Sequence, residues 1–425
     1  MRKLLLLLII VFQALIASTA QTYSVRNIGI REGLSNGFVD DMVIDGQGFV
    51  WVATESGLNR ISGNLCTVFK TDNSSISNNS HVGLLYHAGT NTVWIHSKDG
   101  RVDAYDCKTQ RIIPFKVNGN DRVSVADIAL AADSGLWLAH YDGELRHYDP
   151  KTQKSYVIKR SQLPKFVNGV RSIMDDGKGN LYIGLRMDGM VVYNTRTRKS
   201  RMFVHNESDQ TSLPGNNVRS VFVDHLQNVW VGTNMGLALF DPVKGTFRVF
   251  RHEKGNSASL AGDNIHQIME TRDNTLWIAS DIGGISRLDL DKYPHPADGK
   301  AEFSQLTMAN GGLSSNNVRR VIEDSFGNIW VAHYSMGVDF MTLSMSSFQT
   351  FTAFGKPLLN VTAVYVDSKD NLWIGQDNTV SVCRNGMVVR TWDYSQYISN
   401  SSSSAYLFRE DHDGNIWFGT TDTDC

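Results

Sequence analysis

The 425-residue sequence predicts an all-β chain: a seven-bladed β-propeller of four-stranded antiparallel blades, followed by the first blades of an incomplete second propeller. Three observations carry this. A short phrase recurs along the chain, most plainly as Asp324-Ser325-Phe326-Gly327-Asn328-Ile329-Trp330-Val331-Ala332. Its polar half suits a tight turn, with Asp accepting from turn backbone and Gly free to take a positive φ, and its Ile-Trp-Val half favours a strand. Next, placing the strand aromatic in register gives Trp51, Trp94, Trp137, Tyr182, Trp230, Trp277, Trp330, Trp373 and Trp417, spaced by 43, 43, 45, 48, 47, 53, 43 and 44 residues. A period in the forties with several short strands per unit is the signature of propeller blades. Last, two strand-like runs, 23–28 and 348–354, lack a marker of their own; each begins 11 residues before a similar pair, Leu34-Ser35 and Leu359-Asn360. Each reads as a fourth strand that opens a ring and later closes it by joining the last blade, which removes an exposed sheet edge. The markers Trp51 to Trp330 then make one ring within 21–347, and Trp373 and Trp417 start another within 348–425.

Taken from its start, the chain opens with Arg2 and Lys3, an apolar run from Leu4 to Ile16, and the small-residue site Ser18-Thr19-Ala20. This is the pattern of a cleaved signal peptide over 1–20. The run is short for a membrane span, and Gln21 rather than Cys follows the cut, which argues against a lipid anchor. A periplasmic, soluble mature chain is expected. A formal net charge of −2, from 41 basic and 43 acidic residues, offers no footprint for nucleic acid. Cys66, Cys107, Cys383 and Cys425 show no zinc-like spacing. An oxidising compartment permits a Cys66–Cys107 bridge, although the two fall in different repeats and at different distances past their Trp.

The fifth repeat shows the unit most clearly. Residues 217–223 alternate as a first strand, 224–228 turn, 229–232 form a second strand, 237–241 a third and 246–250 a fourth. The recurring aromatic is expected to pack between adjacent blades, since large aromatics dominate core burial. The recurring acids Asp45, Asp133, Asp176, Asp224, Asp324, Asp367 and Asp411 invite a metal reading. Turn chemistry accounts for them better, because one Asp per blade is spread around the ring and the other ligands of a calcium loop are missing. No metal or cofactor is expected.

Repeats also act as their own comparison set: positions that build the blade stay similar from copy to copy, and positions free of that duty vary. Four residues past the aromatic, the first ring reads Glu55, Lys98, Tyr141, Arg186, Asn234, Asp281 and Tyr334. Gathered at one end of a central channel, these offer both charges, an amide and two aromatic platforms, which suits a polar, ring-shaped ligand such as an oligosaccharide. His140 and His333, one residue earlier, are candidates to join them. Variation at a solvent-exposed hairpin tip is the bland alternative.

The motifs Gly33-Leu34-Ser35-Asn36, Asp45-Gly46-Gln47-Gly48-Phe49-Val50-Trp51-Val52-Ala53-Thr54 and Gly57-Leu58-Asn59-Arg60, with their copies at Asp324 to Ala332 and Asp411 to Thr420, resemble two-component-regulator propeller repeats. The resemblance covers nearly the whole chain. It implies the periplasmic sensor region of a hybrid two-component system of the Bacteroidetes type, binding carbohydrate fragments to control glycan-utilisation genes. In such proteins two seven-bladed propellers lead to a β-sandwich, a membrane helix, a histidine kinase, a receiver and a DNA-binding domain, and a homodimer is the expected signalling form. The sequence departs from that pattern: it has no kinase histidine motif, nucleotide-binding glycines, receiver aspartate or recognition helix, as in a shortened gene or a piece of a longer chain. The expected role is therefore sensing without enzymatic activity.

Two rival readings remain open at this point. A secreted propeller glycoside hydrolase or lyase needs paired carboxylates, for which Glu55 with Asp281 is one conceivable pair. The turn box of sialidase-like propellers, however, sets Asp two residues before Gly, whereas Asp324 and Gly327 are three apart, as are Asp411 and Gly414. A protein-interaction scaffold of the WD type finds little support, because Trp392-Asp393 falls outside the repeat register.

Overall fold

The computed structural model describes residues 23–116, 124–297, 299–343, 352–353, 356–357, 360–384, 387–397 and 403–421. The signal peptide expected at 1–20, Cys425 and most of 348–354 lie outside the described residues. The chain divides into two units, Met1–Ser344 and Met345–Cys425.

In the first unit, seven four-stranded antiparallel sheets are found among the described residues. Blade 5 is typical: Val218–Val223, Val229–Thr233, Gly236–Asp241 and Thr246–Phe250 pair each with the next. The first strand of each blade is innermost and contacts the first strand of the next; Val39–Ile44 of blade 1 also meets Val318–Glu323 of blade 7, which closes the ring. The outer strand of blade 7 comes from the other end of the unit. Tyr23–Ile28 pairs with Val338–Leu343, from Tyr23 opposite Leu343 to Ile28 opposite Val338. The earliest strand thus covers the edge that the latest would expose, as its marker-free position in the sequence implied.

The core lies between blades, and the recurring aromatics fill it. None of the seven in the first ring is more than 9% exposed. Trp51 of blade 1 meets Tyr105 of blade 2 at 4.4 Å between ring centroids, Tyr182 of blade 4 meets Phe240 of blade 5 at 6.3 Å, and Trp277 of blade 6 meets Tyr23 in blade 7 at 6.2 Å. Trp330 packs with Val39, Met42 and Val50 of blade 1. A buried ring of this size stabilises by about 3 kcal/mol, provided that its polar edge is satisfied.

The turn acids supply that satisfaction. Asp45 Oδ1 accepts the turn N–H groups of Gln47 and Phe49 at 2.9 and 3.1 Å, while Oδ2 accepts the Trp51 indole N–H at 2.8 Å. Asp224 serves Trp230 in the same way at 2.9 Å and Asp324 serves Trp330 at 3.3 Å. Where the residue six before the aromatic is not Asp, the arrangement changes: Trp277 donates to Thr271, Trp137 donates to Asp175 of the next blade, and the Trp94 indole N–H, six past Ala88, has no partner among the described residues. Asp133 stands apart from the series. It lies four residues before its Trp and instead accepts from Gly135 N–H and from His147.

Among the described residues the second unit contains one four-stranded sheet, Ala363–Val366, Leu372–Gln376, Thr379–Arg384 and Met387–Asp393, and two two-stranded ones, the larger pairing Ala405–Glu410 with Ile416–Thr420. Thr352–Ala353 pairs with Lys356–Pro357. Residues 352 and 353 are the described part of 348–354; the rest of the expected strand lies outside the described residues. Trp417 keeps its bond to Asp411, at 2.8 Å, and is 66% exposed, unlike the aromatics of the first ring.

Cys66, Cys107 and Cys383 are free thiols, so the permitted Cys66–Cys107 bridge is not formed. The two side chains belong to different inter-blade cores. Among the described residues no helix is long and apolar enough to cross a membrane.

Candidate functional site

Every innermost strand of the ring is bulged one residue from its start. The pairing of first and second strands slips between Val39 and Asp41, His81 and Gly83, Val125 and Asp127, Val170 and Ser172, Val218 and Ser220, Ile265 and Gln267, and Val318 and Arg320. A bulge inserts an unpaired residue and re-aims its side chain. The seven residues so placed are Asp40, Val82, Ala126, Arg171, Arg219, His266 and Arg319, and all seven line one cavity of about 450 Å3 enclosed by the inner strands. From the hairpins between second and third strands, Glu55, Lys98, Tyr141 and Arg186 complete its wall. A second cavity of about 660 Å3 shares Asp41, His96, Asp127, Arg171, Arg219, His266, Gln267 and Arg320 with the first, so the two meet at a polar waist in the channel.

Charge is segregated around this mouth. Blades 4, 5 and 7 supply Arg171, Arg186, Arg219, Arg319 and Arg320, with the His266 imidazole of blade 6 between them, whereas blades 1 to 3 supply Asp40, Asp41, Glu55 and Asp127, with Lys98 among them. At the waist, Arg320 Nε lies 2.7 Å from Asp41 Oδ1. Burial raises the pKa of Asp41 even so. Burial also pushes Asp127 up to about 7, against the hydrogen bond that it accepts from Ile173 N–H at 3.0 Å. Asp40 is raised to about 6 by burial, which the Arg319 charge only partly offsets. On the basic side, burial and then the neighbouring charges of Arg219, Arg186 and Arg319 bring Arg171 down to about 10. Burial holds His266 down at about 4, although its Nε2 lies 2.8 Å from Asp281 Oδ2. For Asp281 burial is again the largest influence and would raise the pKa; the His266 bond and the charges of His266, Arg319 and Arg219 together outweigh it and keep the carboxyl below its usual range.

Of the nine ligand candidates read from the hairpins, four line the cavity: Glu55, Lys98, Tyr141 and Arg186. Asp281 stands behind the wall, where Asn264, His266 and Arg219 approach its Oδ2 at 2.9, 2.8 and 3.4 Å. Tyr334 is outside the lining, 42% exposed, with the Phe38 ring edge-on at 5.2 Å and the Arg319 guanidinium 4.4 Å from its ring centroid. Asn234 is exposed and does not reach the cavity.

The two histidines are corrections to the sequence reading. His333 is wholly buried, with Nε2 2.7 Å from an Asp339 carboxylate that also accepts from Ser314 N–H and Oγ–H, and it does not line the channel. His140 is half-buried, burial lowers its pKa, and it too is absent from the lining. His333 is the last residue of its strand, Ile329–His333, and its side chain turns to Asp339 on the next strand of the same blade. The conceivable Glu55–Asp281 catalytic pair is likewise not brought together as lining, since only Glu55 reaches the cavity.

Sequence reasoning missed the bulge residues, which supply three of the arginines, Arg171, Arg219 and Arg319, and Asp40 and His266. Their signal is present in the copies, as the variable residue after a recurrent apolar one in Val170-Arg171, Val218-Arg219, Ile265-His266 and Val318-Arg319. Plain alternation does not distinguish that residue from one facing a neighbouring blade; the bulge does.

The family model for the two component regulator propeller matches residues 212–235, 259–281, 312–335 and 399–422, so these segments are repeats of that kind. No curated protein matches the chain. Among solved structures, the extracellular domain of a hybrid two component system from B. thetaiotaomicron is similar at 28% identity and a TM-score of 0.63, over 94% of this chain and 52% of that one. The chain thus spans about half the length of that domain. Virginiamycin B lyase from Staphylococcus aureus (13% identity, TM-score 0.55, 76% of this chain and 99% of that one) and PorZ of the Porphyromonas gingivalis type-IX secretion system (15%, 0.56, 90% and 59%) share the fold. Among the described residues no group of side chains suited to a metal ion is found.

Proposed function

We propose that this chain is the ligand-sensing propeller region of an extracytoplasmic hybrid two-component receptor, and that its ligand sits in the mouth of the first ring. The observation that carries this reading is the set of seven bulged inner strands, each turning one side chain into the same cavity. A bulge weakens a ladder locally, and its repetition at one level of a ring puts five polar side chains, Asp40, Arg171, Arg219, His266 and Arg319, around one cavity. The likeness to an extracellular domain of a hybrid two component system supports the sensing role, and the signal-peptide pattern at 1–20 supports export to the periplasm.

A carbohydrate fragment suits the site best. Tyr141 in the wall and Tyr334 at the rim offer flat faces for a sugar ring, and the mixed charges offer both donors and acceptors for hydroxyls. Control of glycan-utilisation genes would then pass through kinase and DNA-binding parts that belong to the longer receptor, in which a homodimer is the proposed signalling form. A lyase or glycosidase reading loses its best carboxylate, because Asp281 is engaged by Asn264, His266 and Arg219.

Titration calorimetry of the purified chain against a panel of mono- and disaccharides tests this, with product analysis of the same mixtures. Saturable binding without turnover is expected. Cleavage of any panel member would overturn the sensor reading in favour of an enzyme.

A further inference from the structure

The mouth of the ring holds more positive charge than its own carboxylates neutralise. Five guanidinium groups line it on blades 4, 5 and 7; Arg320 is paired with Asp41, which leaves Arg171, Arg186, Arg219 and Arg319. Of these four, Arg219 alone has an ion pair among the described residues, at 3.4 Å from Asp281, and that carboxylate is shared with His266 and Asn264. Arg319 is directed to the His266 ring nitrogens, with Nη1 2.8 Å from Nε2, and to the Tyr334 face. Arg186 lies 5.4 Å from the Tyr141 ring centroid, a cation–π contact that leaves its forked edge unspent. Arg171 has no hydrogen bond or ion pair among the described residues. The acids of the lining, Asp40, Asp41, Glu55 and Asp127, belong to blades 1 and 3, and Asp41 is taken up by Arg320.

We infer that the basic arc of blades 4 to 7 is an oxyanion subsite and that the ligand of this channel carries a carboxylate, sulfate or phosphate group as well as hydroxyls. The inference rests on the channel-mouth reading above and narrows its ligand class. Planar guanidinium forks match two oxygens of an oxyanion at once, which makes arginine the suitable residue where such a group must be held in one orientation. Holding several of them together in a half-buried cavity without an anion is unfavourable, and the lowered pKa of Arg171 expresses that cost. An oxyanion on the arc relieves the repulsion. The opposite wall, with Asp40 and Glu55 as acceptors, then faces the hydroxyl-bearing part of the same molecule.

Calorimetry on the purified chain tests this with three disaccharides of matched size: a neutral one, one ending in a uronic acid, and one bearing an O-sulfate; inorganic phosphate is a fourth arm. Binding of an acidic disaccharide about tenfold or more tighter than the neutral one is expected, falling as salt is raised. Arg171→Gln and Arg186→Gln, two arginines with no carboxylate partner to orphan, should each erase most of that preference, while Arg171→Lys keeps part of it. The arms tell the oxyanions apart by which binds tightest. Equal affinity for neutral and acidic sugars, or an acidic preference untouched in both Gln variants, overturns the oxyanion subsite and leaves the channel-mouth reading standing. Failure of all four probes to bind overturns both.

Discussion

Six residues separate Asp224 from Trp230, and the two meet again at 2.9 Å, carboxylate Oδ2 to indole Nε1, after the chain has turned and started its next strand. The same carboxylate closes the turn through Asn228 N–H at 2.8 Å. One side chain thereby links the turn to the inter-blade core, which explains why the phrase recurs as a unit.

Asp224→Ala should therefore cost more than a surface turn substitution. It leaves a buried indole N–H without an acceptor and opens the turn, an expected loss of about 2–3 kcal/mol. Asp411→Ala is the internal control, because Trp417 is exposed and water can replace the acceptor. Urea unfolding of the two variants should show a clear drop in midpoint for the first and little change for the second.

Ring closure gives the next expectation. Tyr23–Ile28 supplies the outer strand of blade 7, buries Ile28, and donates Asn27 Nδ2 to Asp339 at 2.8 Å, in the group that holds His333. Removing 23–28 should expose the Val338–Leu343 edge and open the seam between blades 6 and 7 at Trp277. Hydrogen exchange should speed up first in blade 7, with a lower melting temperature. Unchanged protection of 338–343 would refute the closure.

Acidity provides a third test. Asp127 titrates at about 7 in the folded ring, far above the ordinary carboxyl value of 3.8, because of burial. A folded-state pKa above the unfolded one means that the folded state holds the proton more tightly: the favourable contribution is complete below about pH 4 and is lost as pH rises through about 7. Asp127→Asn cannot ionise and keeps an oxygen for the Ile173 N–H. The variant should gain melting temperature over the parent at pH 8 and gain less, or nothing, at pH 4.5. Parallel pH curves for the two would show that Asp127 is not the titrating group.

The blades were legible in the sequence because their marker is a local device: a turn acid, a glycine and an aromatic in fixed register report one another within ten residues. The seam strand at 23–28 was legible by subtraction, as a strand without a marker. The cavity was only half legible. Glu55, Lys98, Tyr141 and Arg186 were reached by comparing hairpins, but a hairpin tip can point into the channel, as Tyr141 does, or stay exposed outside it, as Asn234 does. His333 misled because it ends its strand and turns its side chain to Asp339 on the next strand of the same blade. Arg171, Arg219, His266 and Arg319 were hidden for another reason: a one-residue bulge breaks alternation, and nothing in a single copy announces it.

The aromatic pair makes the sharpest site test. Tyr141 lies in the wall with Arg186 against its ring, and Tyr334 lies at the rim with Arg319 against its own. The two are thus alike in partner although they sit on blades 3 and 7, each with a guanidinium over its ring. If sugar rings stack there, Tyr141→Ala and Tyr334→Ala should each weaken saccharide binding by about threefold to tenfold, the range of an aromatic contact beyond simple burial. Neither ring belongs to an inter-blade core, so the melting temperature should hardly move. Tyr141→Phe and Tyr334→Phe keep the face and should bind nearly as the parent does. Unchanged affinity in the double Ala variant would remove the tyrosines from the site and leave the arginine arc to be tested alone.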